Sequence, residues 1–167
     1  MNPTIEFLTW LQETPLAQYI RESEWAFPTI ESLHVIALTT VFGTIAVVDL
    51  RLCGLASTNR RFSEMADELL PWTWGAFGFA LIFGSLLFIS HALIYFNNTA
   101  FRLKFVFMFF AAVNMLVFEL VTRRSVARWD LGSKIPPAAR LAGALSLLFW
   151  ITGVYLGRQT GWTMDAF

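Results

Sequence analysis

Four long apolar runs, almost free of charge through their middles, constrain this chain more than any other feature. They fall at about residues 29–56, 71–96, 101–121 and 138–157. The hydrocarbon core of a bilayer takes about 20 residues of helix to cross. Lipid offers no partner for free backbone groups, so a crossing segment is a helix or part of a closed barrel. The runs show no strand-like alternation. They predict an all-α integral membrane four-helix bundle, residues 28–167, as one domain.

Composition agrees. Apolar residues make up 56% of the 167 residues and charged residues only 14%, against roughly a quarter charged in a soluble domain. Seventeen Phe and seven Trp suit lipid-facing surfaces with interfacial belts. Twelve basic residues balance twelve acidic ones, which argues against a nucleic acid partner. The single cysteine, Cys53, excludes an internal disulfide and reads as a packing residue.

Residues 1–27 are too polar to span. Phe7, Trp10, Leu11, Ala17 and Ile20 could share one apolar side, and Pro15 divides the stretch. An amphipathic segment at the membrane surface is expected. Glu6, Glu13, Glu22 and Glu24 argue against a cleaved signal peptide. Pro28 and Pro71 are expected to open the first and second spans. Polar loops are expected at 57–70 and 122–140, with a short turn at Asn97, Asn98 and Thr99.

Eight basic residues gather at the ends joined by those two loops: Arg51, Arg60, Arg61, Arg123, Arg124, Arg128, Lys134 and Arg140. Arg21, Arg102, Lys104 and Arg158 lie at the opposite ends. The asymmetry predicts both termini outside the cytoplasm, in a bacterial inner membrane.

The chain has two histidines, His34 and His91, both expected inside spans, where ionisable residues are functional candidates. His34 follows Pro28 by six residues and His91 precedes Asn97 by six, about 9 Å from the outer helix end in each case. Equal depth on antiparallel helices suits bis-imidazole ligation of a b-type haem. Gly84, two turns before His91, would leave room for the macrocycle edge. Phe42, Phe83, Phe88, Phe105 and Phe109 would flank it, and Arg102 and Lys104 would meet its propionates. Such a haem would exchange electrons with a quinone or a periplasmic redox protein. The alternatives are a copper site of His34, His91 and Met108, a weaker zinc site in which Glu31 would serve only if the helices splay, and a cofactor-free structural subunit of a membrane complex.

Other polar residues read as structural. Glu119 and Arg123 are spaced to pair along one helix, Asp49 is expected to reach Arg51 or Arg123, and Asn114 to hydrogen-bond a neighbouring helix. The Gly153–Gly157 spacing permits close helix approach, within the bundle or in a homo-oligomer. No nucleophile–base pair, phosphate loop or carboxylate dyad is present.

The segments SEWAFPTIESLHVIALTTVFG, DLRLCGL, LPWTWGAFGFA and NTAFRLKF, within about residues 17–115, resemble a family of small bacterial four-span membrane proteins of unassigned function. His34, Asp49, Arg51, Arg102 and Lys104 fall on that pattern. More loosely, the chain is similar to membrane b-type cytochromes and to copper-resistance membrane proteins. That resemblance implies haem or copper without choosing between them.

Overall fold

The computed structural model describes residues 2–131 and 134–164. Its elements are helices: α1 Pro3–Gln12, α2 Pro15–Glu22, α3 Ala26–Cys53, α4 Phe62–Ser90, α5 Ala92–Asn97, α6 Thr99–Val117 and α7 Pro137–Met164. α6 continues through a π turn, Phe118–Thr122, and a 3-10 turn, Arg123–Arg128. Four stretches are long and apolar enough to cross a membrane: Ala26–Cys53, Phe62–Ser90, Thr99–Arg128 and Pro137–Thr163. The chain is an all-α, multi-pass membrane protein. Its outward sides are apolar, with Ile36, Phe79, Ile82, Phe109, Leu116 and Leu148 exposed, as a lipid-facing surface requires.

Local signals set the helix ends. Asn2 and Thr14 accept hydrogen bonds from the Thr4 and Ala17 N–H groups, each ahead of a proline at the first helical position. Asn98 caps α6 through the Phe101 N–H at 3.1 Å. Gly54, at φ 76°, ends α3 in the left-handed region. The cap of α4 comes from a distant segment. Asp130 Oδ1 accepts from the Ser63 N–H at 2.8 Å, and its Oδ2 accepts from the Ser63 hydroxyl at 2.8 Å. Arg51, fully buried, ties this end together by donating to the Arg60 and Asp130 carbonyls at 3.1 and 3.0 Å.

Two expectations about the second span are corrected. Residues 62–70 are helix rather than loop, and Pro71 lies inside α4 rather than opening it. Phe62, Met65 and Ala66 are buried at the one-face spacing of a helix, and a proline there removes a single ladder bond. The span is also interrupted at His91, whose φ of −141° and ψ of 46° separate α4 from α5. Ser90 and His91 offer the backbone competing partners. The Ser90 hydroxyl donates to the Leu87 carbonyl at 2.7 Å and lies 2.9 Å from His91 Nδ1.

The N-terminal helices pack on this break. Arg21 donates to the Ser90 carbonyl at 3.1 Å, and Gln12 Oε1 accepts from the Leu93 N–H at 3.4 Å. Groups orphaned by the break are thereby satisfied. Ala17, Ile20 and Leu8 face the bundle, whereas Phe7 and Trp10, expected on the same side, are exposed.

The spanning helices form an arc. α3 packs on α4 and α7, and α7 packs on α6, but α4 and α6 do not pack along their length. Side chains bridge that seam near its two ends: Phe88 stacks on Phe101 at 5.7 Å, and Phe62 meets Phe118 edge-on at 5.8 Å.

Candidate functional site

Between the two aromatic bridges the arc encloses a cavity of about 270 Å³, walled by all four spanning helices. Val41, Ile45 and Val48 come from α3, Thr73, Trp74 and Phe77 from α4, Met108, Ala111 and Met115 from α6, and Ser146 and Trp150 from α7. Small side chains at Ala111, Ala112 and Ala142, opposite large aromatic ones, leave the space open. With α4 and α6 unpacked, its thinnest wall faces the lipid.

Asp49 forms the polar end. It sits one turn from the end of α3 and is 5% exposed. Ser146 lies beside its carboxylate in the cavity wall, while Oδ2 has no partner among the described residues. The sequence suggested that Asp49 reaches Arg51 or Arg123, but no ion pair joins it to either among the described residues. Arg51 is turned toward the loops, and Arg123 is held by both oxygens of Glu119 at 2.8 Å.

Gly143 explains the placement. A Cβ there would lie 2.8 Å from the Asp49 carbonyl oxygen and 2.9 Å from Leu52 Cβ. Its absence lets α7 close on α3, and Ser146, three residues on and on the same face, then meets the carboxylate. Asn114 steadies the α6 wall by donating to the Ala142 carbonyl at 2.9 Å. The Thr73 and Thr44 hydroxyls bond across α3 and α4 at 2.8 Å.

The histidines do not line this cavity. The His34 ring sits against Gly84, with Cε1 2.9 Å from where a Cβ would lie. Its Nδ1 is buried without a partner among the described residues. Gly84 precedes His91 by seven residues of α4, about 10 Å of helical rise. His91 faces the Phe27 ring edge-on at 5.6 Å. α3 starts at Ala26, two residues before Pro28, and α4 breaks at His91. Two imidazoles that ligate one iron must point at one atom, and these face different surroundings. The notch expected to admit a macrocycle edge is filled by His34 itself. His34 thus meets Gly84, and His91 meets Phe27.

The other residues assigned to that site also separate. Arg102 is exposed, whereas Lys104 turns inward, its Nζ 3.7 Å from the position of a Gly157 Cβ. Phe88 and Phe105 pack around Phe101, Phe83 stacks on Phe79, and Phe109 is 64% exposed. Met108 belongs to the cavity, so it joins neither histidine in a copper site. Among the described residues no three His, Cys, Asp or Glu side chains group as metal ligands. Gly153 is buried, with open space where a Cβ would lie, and Gly157 meets Lys104.

No protein-family model, curated protein or solved structure matches the chain.

Proposed function

We propose that this protein binds a small lipophilic molecule drawn from the bilayer, held in the cavity with its polar group toward Asp49. The observation that carries this reading is a buried carboxylate oxygen without a partner among the described residues, in a mostly apolar cavity. Ionisable groups inside a membrane are costly and are retained where they meet a ligand, a pathway or each other. Ligand sites are concave, mostly apolar and fitted with a few convergent polar groups. The unpacked α4–α6 seam supports entry from the lipid. The eight-to-four distribution of basic residues supports both termini outside, with Asp49 toward the cytoplasm.

Fluorine NMR of the protein in nanodiscs with para-trifluoromethyl ethylbenzene tests the reading. A bound resonance that saturates, and that Ala111→Phe removes by filling the cavity, is the expected result. Bilayer partitioning alone, without saturation, contradicts it.

A further inference from the structure

Resting on that cavity reading, we propose that the ligand is a lipophilic organic cation, its ammonium group held by Asp49 and its apolar body lodged among aromatic rings. Charge on the cavity wall points this way. Asp49 and Glu119 are acidic and Arg123 is the basic residue among its lining. Arg123 is already committed to Glu119 through two 2.8 Å contacts, which leaves Asp49 as the uncompensated charge. No ion pair to Asp49 occurs among the described residues, and its Oδ2 lacks a donor.

An N–H donor of positive charge meets both needs of that oxygen in a medium where water cannot. An anionic ligand would face the carboxylate, and a neutral hydrocarbon would leave Oδ2 as unsatisfied as before. Trp74, Phe77, Phe118 and Trp150 line the same space, and aromatic faces attract cations most strongly when desolvated. Ser146 of α7 lines the cavity with Asp49 and adds a second polar group on that wall.

The test compares three probes of one shape in the nanodisc assay: para-trifluoromethyl benzylammonium, its neutral isostere para-trifluoromethyl ethylbenzene, and para-trifluoromethyl benzoate. The ammonium should bind about tenfold or more tightly than the isostere, a preference of ~1.4 kcal/mol, and the benzoate weakest. Asp49→Asn should abolish the preference while leaving saturable binding of the isostere. Equal affinities for ammonium and isostere in the wild-type protein would overturn the cation assignment and leave the cavity reading standing. Saturable binding of none of the three would overturn both. The wild-type comparison decides the matter even where Asp49→Asn fails to fold.

Discussion

Gly143 lies directly against the main chain of Asp49, so close that a Cβ would come within 2.8 Å of the Asp49 carbonyl oxygen. Backbone cannot yield as a flexible side chain can. Gly143→Ala should therefore push α7 from α3, at a cost of about 1–3 kcal/mol by analogy with overpacked cores. It should also loosen the Ser146 contact to Asp49. A lower Tm in detergent than for Gly161→Ala, where the space is open, is the expected outcome. Equal Tm values would show that the contact does not limit helix approach.

Gly84 and His34 form a second tight pair, with 2.9 Å between the His34 Cε1 and the position of an added Cβ. Gly84→Ala should destabilise the protein, and His34→Ala should relieve the clash. A double-mutant cycle on thermal stability should give a favourable coupling of about 0.5–3 kcal/mol. Strict additivity would mean that the ring does not occupy that notch.

The break at His91 depends on the N-terminal helices. Arg21→Ala removes the donor to the Ser90 carbonyl, and Gln12→Ala removes the acceptor for the Leu93 N–H. Either change should speed amide exchange at residues 91–95 while α3 and α7 keep their protection. Unchanged exchange there would show that the break is stable on its own.

Sequence reasoning reached the spans because crossing a bilayer demands long apolar helices, and little else produces such runs. It missed the helix at residues 62–70 because Glu64, Asp67, Glu68 and Pro71 together resemble a loop. Only the contacts of Phe62, Met65 and Ala66 with the bundle make that stretch a helix. Asp49 read as a boundary residue because its surroundings come from α7, more than ninety residues away in the chain. The small face of Gly143 and Ser146, spaced one turn apart, was the available signal. The contact of His34 with Gly84 joins two helices, which counting residues from helix ends does not reach.

Asp130 makes one region sensitive to acid. Partial burial opposes ionisation, but hydrogen bonds from the Ser63 N–H and hydroxyl, with Arg61 and Arg51 nearby, outweigh it and hold the carboxyl below the usual carboxylate range. A lowered folded-state pKa contributes stability that is present above the unfolded value, near 3.8, and is lost as pH falls through the folded one. Unfolding in detergent should thus show an acid-side loss that shrinks in Asp130→Asn. An identical acid limb in that variant would assign the loss to other carboxylates.

Photolabelling from the bilayer probes ligand entry into the cavity most directly. A trifluoromethyl-phenyl diazirine, activated in nanodiscs, should mark Phe77, Met108 and Trp150, which line the cavity and are partly buried, and excess para-trifluoromethyl ethylbenzene should remove those adducts. Adducts on the outward-facing Phe109 and Ile82, both more than half exposed, should persist. Labelling of the cavity residues that resists competition, as on the outer surface, would contradict a binding site between α4 and α6.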